Sequence, residues 1–283
     1  MTTHTLFFRS QSFIQLTSGL IISLSLVGCS ITAKPQAIET FTEAGLDYTN
    51  TLRQVNQLSQ KESLSFTAEL LTDLPRETGV LETQSSEAKT RVQLIEQHNK
   101  QLDLLEQYFT VLNQFTDTKN KSKAEKLLAD IVYALKDTFK VTRKQSEDFA
   151  AISIDLQSKT VLQAIIQRDR PFIAASLESL ANNFAQQAEW LELRQTLIRE
   201  RNYQRLVEAP FINNKDLGTT WKNAWIKSVT PSPTLEALRK AEQVSIALLD
   251  AWNNLQIDQN NPYDLQIKLD QLKNTLYSLE QQP

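Results

Sequence analysis

Glycine is nearly missing from this chain, and that constrains its fold more than any other feature. Five glycines occur in 283 residues, and two of them, Gly19 and Gly28, fall within the first 28 positions. Tight hairpin turns of types I′ and II′ need positive φ, which glycine adopts most easily. A sheet protein with many such turns is hard to build from the three that remain. Gln, Leu, Ala, Lys and Glu are abundant instead, and all are good helix formers. Hydrophobic residues make up 41%, enough to bury a core and well clear of the disordered class. The expectation is an all-α protein of long helices and few turns, in one large domain or two small ones.

The first 28 residues read as a targeting segment rather than as part of that fold. Arg9 and the amino terminus supply a weak positive end. An apolar stretch over residues 14–27 follows, with Leu16, Leu20, Ile21, Ile22, Leu24 and Leu26. Gln15, Thr17, Ser18, Ser23 and Ser25 interrupt it, so it falls short of the about 20 apolar residues a membrane-spanning helix needs. It ends in Leu26-Val27-Gly28-Cys29. This resembles the lipobox of bacterial lipoprotein precursors, and the resemblance covers the leader and Cys29 only. It implies cleavage between Gly28 and Cys29, a diacylglyceryl thioether on the Cys29 sulfur, and often a third acyl chain on the new amino terminus. The energetics agree: each buried methylene contributes about 0.8 kcal/mol, one chain holds marginally, and two or three hold firmly. Ser30 rather than Asp follows Cys29, which in a two-membrane cell suits the outer membrane. Cys29 is the sole cysteine, so the rest of the chain forms no internal disulfide.

Beyond Cys29, residues 29–35 read as a tether ending at Pro35. Residues 36–208 read as an elongated antiparallel bundle of about four long helices. Phe41, Ala44, Tyr48, Leu52, Val55, Leu58 and Leu70 mark the apolar stripe of the first. Thr72-Asp73-Leu74-Pro75 reads as a stop and restart, with Asp73 able to cap and Pro75 suited to a first turn. In the second, Ile95, His98, Leu102, Leu105, Phe109 and Leu112 alternate spacings of three and four, as in a coiled-coil seam. Leu94, Leu104, Tyr108, Val111 and Phe115 widen that face. A third helix over residues 122–167 carries Leu128, Ile131, Val132, Leu135 and Phe139, then Phe149, Ile152, Leu156, Leu162 and Ile166. Asp169-Arg170-Pro171 reads as the restart of a fourth, with Phe172, Leu177, Leu180, Phe184, Trp190, Leu191 and Leu197. Each segment is roughly 55–65 Å long at 1.5 Å per residue, and short connections favour antiparallel neighbours. Residues 209–233 hold Pro210, Gly218, Pro231 and Pro233 and read as irregular, which is long for an idle turn. Residues 234–283 read as a C-terminal helical hairpin packed on the bundle.

Little in the sequence points to catalysis. It has no phosphate loop, dinucleotide fingerprint or zinc-type Cys/His cluster. After residue 28 only one histidine remains, His98, which argues against Ser-His-Asp, Cys-His and multi-histidine metal sites. The Glu-x-x-His pairs of carboxylate metal bundles do not occur either. We therefore expect no catalytic residues, no metal ligands and no cofactor. Residues 29–283 carry 29 Lys and Arg against 33 Asp and Glu, which argues against a general grip on nucleic acid. Trp221 and Trp225, one helical turn apart, with Phe211 and Trp190 near in sequence, either contact a partner or pin the long segment to the bundle. Pinning is the expected role, because tryptophan buries large area and seeks one hydrogen bond.

These features point to a lipid-anchored, non-enzymatic scaffold or docking module of a bacterial cell envelope. It is held to the membrane through lipid on Cys29 and binds an envelope protein. A membrane-active, pore-forming bundle is the alternative, weakened by the lack of an apolar run of about 18 residues after Cys29. An enzyme with a carboxylate-based site is a third reading, with no pair of residues singled out for it.

Overall fold

The computed structural model describes residues 33–115, 121–138, 161–213, 217–257 and 262–280, and every regular element among them is helical. Cys29 and the stripe residues Phe139, Phe149, Ile152 and Leu156 lie outside the described residues. Among the described residues the longer helices are α1 Ala33–Asp73, α2 Thr78–Phe115, α3 Lys121–Thr138, α4 Val161–Asn202, α5 Thr219–Val229, α6 Pro233–Ile257 and α7 Pro262–Glu280.

The four central helices are α1, α2, α4 and α6; α1 runs antiparallel to α2 and α6, as does α4, while α1 and α4 run parallel where they meet. Hydrogen bonds give the directions. Tyr48 pairs with Ser245 and Glu62 with Ser232, so α6 descends as α1 rises. Gln101 reaches Ser176 and His98 reaches Gln187, so α2 and α4 also run oppositely. Helix α3 adds to α2 and α4, and α7 to α6 and α1. We call the end holding the start of α1 the lower end and the end holding Asp73 the upper end.

Helix α6 forms the expected C-terminal hairpin with α7 and also packs along α4 as a central member of the bundle. Two sequence expectations change. Pro75 lies in the connection, and α2 begins at Thr78. Pro171 does not start a helix but lies inside α4. An internal proline costs about 3 kcal/mol. Local tertiary contacts offset this: Ile173 is fully buried, the Trp252 indole donates to the Arg170 carbonyl at 3.1 Å, and buried Asp169 is held by Arg168 and Tyr108.

The interior differs along its length. Below the middle of α1, Phe41, Tyr48, Tyr108, Phe109 and Trp252 are fully buried; Phe41, Tyr108, Phe109 and Trp252 meet edge-on or tilted, geometries aromatic rings favour. Above it, polar side chains occupy the seam. Asn56 donates to Asn99 at 2.7 Å and Ser59 to Gln187 at 2.7 Å, while Gln187 meets His98 Nδ1 at 3.2 Å. Gln195 and Ser232 both donate to Glu62. Leu58, Leu94 and Leu197, expected on the inner stripes, are exposed. Ser59 and Ser63 are buried in place of Leu58. A straight α-helix drifts about 20° per heptad from a strict seam, so an apolar stripe that fits the lower layers has rotated away by the upper ones.

Candidate functional site

The upper end is where the regular bundle gives way to other geometry. Helix α4 runs into a π-helical turn, Tyr203–Glu208, in which the Ala209 N–H donates to the Gln204 carbonyl five residues back. Such wide turns are rare and occur often at functional sites. Pro210 follows directly; it has no N–H to give, and its ring crowds the carbonyl of Leu206. One further turn, Ala209–Ile212, ends at Asn213, whose side chain and N–H both donate to the Ala209 carbonyl.

Residues 209–233, read from the sequence as irregular, instead contain the eleven-residue helix α5. Proline and glycine on its flanks hid it, although Trp221, Ala224 and Ser228 already had helical spacing. These three face the bundle and are part-buried, while the rest of α5 is exposed. Thr230 closes the helix by bonding the Ile226 carbonyl through both N–H and hydroxyl. The Arg199 guanidinium then ties the Thr230 carbonyl to α4 at 2.7 Å. Ser232 caps α6 through the Leu235 N–H, and Pro233 takes the first turn, the positions these residues favour.

The two tryptophans part company. Trp221 pins α5 as expected: it is part-buried, its Nε1 donates to the Val207 carbonyl at 2.9 Å, and its ring stacks on Phe211 at 6.0 Å. Trp225 does not, and the packing expectation fails there; it is 45% exposed, because it lies one turn along on the flank facing solvent. Trp190 joins neither. It sits between α2 and α4 with the Arg91 guanidinium 3.4 Å from its ring centroid, its buried Nε1 without a partner among the described residues. Burial and the neighbouring Arg194 lower the Arg91 pKa to about 10, so it stays cationic at neutral pH.

Between α1, the end of α4 and α5 lies a half-open groove of about 490 Å³. Phe66, Ile198, Leu206 and Ile226 give it an apolar lining. Its carboxylates are already engaged, Glu62 by Gln195 and Ser232, and Glu69 by Asn202 at 2.6 Å. Of its cations, Arg205 and Lys227 are exposed and Arg199 is part-buried, and Arg205 also reaches Asp73 at 3.4 Å. The size suits a small molecule or a few side chains of a peptide, with polar groups that fix orientation.

His98 lies below this groove and is not part of it. Burial lowers its pKa to about 4, so the neutral ring accepts at Nδ1 from the Gln187 amide. Among the described residues no group of His, Cys, Asp and Glu is placed to hold a metal ion, and no helix is long and apolar enough to cross a membrane. Cys29, the expected lipidation site, lies outside those residues. Comparison of the chain with protein-family models, with curated proteins and with solved structures returns no match.

Proposed function

We propose that this chain is a lipid-anchored, non-enzymatic docking module of a bacterial cell envelope. Acyl chains on Cys29 hold the lower end, and the upper end binds an envelope protein. Ser30 favours the outer membrane where the cell has two. The observation that supports docking is the groove beside α5, at the far end of a 41-residue helix that begins four residues after Cys29. At 1.5 Å per residue, α1 alone sets the two ends about 60 Å apart. A binding site at that distance stands clear of the membrane that carries the tether. The lining suits apolar side chains, and the cations around it suit a partner segment that also carries carboxylates, because complementary potentials steer and orient association.

Two measurements in intact cells test this. Metabolic labelling with an alkyne fatty acid is expected to tag the wild-type protein and not Cys29→Ala; label on the Cys29→Ala protein would remove the anchor. A photo-crosslinking amino acid at Lys227 is expected to give one discrete protein adduct that the same probe at exposed Tyr133 does not. Equal adducts from both positions, or none from Lys227, would remove the docking role.

A further inference from the structure

Helix α5 wears much of its apolar surface on the outside. Lys222, Trp225, Ile226 and Val229 recur at the three- and four-residue spacing of a single helical stripe, and all four are exposed. The three apolar members are 45%, 52% and 59% exposed. The face turned to the bundle is the smaller one, Trp221, Ala224 and Ser228. Just before α5, Phe211 and Ile212 are exposed too, at 60% and 66%. Single exposed hydrophobics are ordinary, but a cluster on one short segment marks a surface that is covered in use.

Charge says what covers it. Residues 199–229 hold six Lys and Arg against three Asp and Glu, a surplus of three on a chain whose net charge is −3. The remainder is therefore acidic by about six. Arg201 and Arg205 are engaged by Asp73. No carboxylate among the described residues pairs with Lys222 or Lys227. Lys222 sits within the apolar stripe itself. Tryptophan, aliphatic side chains and lysine on one exposed helical flank are what an interfacial helix offers to anionic headgroups. Ile226 and Lys227 line the groove while Trp225 and Val229 do not, so the stripe runs along the groove's outer edge and turns two of its apolar side chains away from it.

We infer that the outer stripe of α5, which shares Ile226 with the groove, is a contact surface for an anionic lipid headgroup layer. This rests on reading the upper end as the working end, but not on acylation of Cys29. In a chain tethered at its lower end, the stripe lies about 60 Å away along α1.

The test uses the full chain with Cys29→Ser, which leaves no other thiol. A nitrobenzoxadiazole label is placed at Ile226→Cys or, as a control on the same chain, at Tyr133→Cys. With vesicles of phosphatidylcholine and phosphatidylglycerol, the Ile226 label is expected to shift to the blue and brighten about twofold as it leaves water. The Tyr133 label is expected not to change, and vesicles of phosphatidylcholine alone are expected to have no effect. Lys222→Glu with Lys227→Glu should abolish the change, and added salt should weaken it. No response at Ile226, an equal response at Tyr133, or an equal response on neutral vesicles would overturn the inference. A protein adduct from Lys227 alongside a silent Ile226 label would leave the docking role standing without lipid contact.

Discussion

Gly45 shows how one position can reverse a general preference. It lies within α1, where alanine would ordinarily stabilise by about 1 kcal/mol. A Cβ there would come within 2.6 Å of the Phe109 ring. That ring is fully buried and meets Phe41 edge-on at 5.7 Å, so it has little room to retreat. Overpacking of this kind costs about 1–3 kcal/mol, and we expect Gly45→Ala to lower stability by about 1–2 kcal/mol. Urea melts decide it: an unchanged or higher midpoint would show that Phe109 moves aside freely. The sequence gives no hint of this contact. It shows a glycine in a helical pattern, not the ring that excludes a side chain there. The ring itself was readable: Phe109, with Leu102, Leu105 and Leu112, falls on the predicted seam, because burial in the lower layers follows hydrophobicity. Ser59 and Ser63 escaped notice because their burial rests on hydrogen-bond partners distant in sequence, such as Gln187 for Ser59.

At the scale of elements, α5 is held to the bundle by few contacts, chiefly with the π-helical turn. The Trp221 indole bond to the Val207 carbonyl links α5 to that turn. Trp221→Phe keeps most of the stacking on Phe211 and removes that bond. We expect backbone amides of residues 219–229 to exchange about tenfold faster, the equivalent of about 1.4 kcal/mol, with no change at the lower end. Unchanged protection of α5 would mean that stacking alone fixes it. Two opposite misreadings come from proline. Pro171 looked like a boundary but tertiary contacts carry α4 through it. Pro210, Pro231 and Gly218 looked like the marks of a loop but bracket a helix. Local sequence reports the cost of a residue in a helix; whether contacts elsewhere offset that cost is decided by the fold. The outline of the bundle was legible from periodicity. The groove was not, since its lining joins Phe66 of α1 to Ile198 of α4 and Ile226 of α5.

The molecule as a whole changes character from one end to the other, and acid should reveal it. His98 sits in the polar upper layers with its pKa lowered to about 4 by burial, against an ordinary 6.5. Below pH 6.5 the unfolded chain binds a proton there that the folded chain refuses. Stability should therefore fall as pH drops from 6.5 toward 4, by about 2 kcal/mol between pH 7 and pH 5 from this residue. His98→Gln should remove that part of the slope, as denaturant melts at the two pH values would show; an identical slope in both proteins would mean that the ring protonates freely when folded. The same gradient has a mechanical meaning. Hydrogen-bonded polar layers yield at low cost once water reaches them, whereas interlocked aromatic layers must open together. A pull between the two ends would thus be taken up first as fraying around α5 and the Glu62 layer, while the aromatic end stayed shut. The bundle would behave as a zipper with its loose end at the groove and its closed end beside the start of α1.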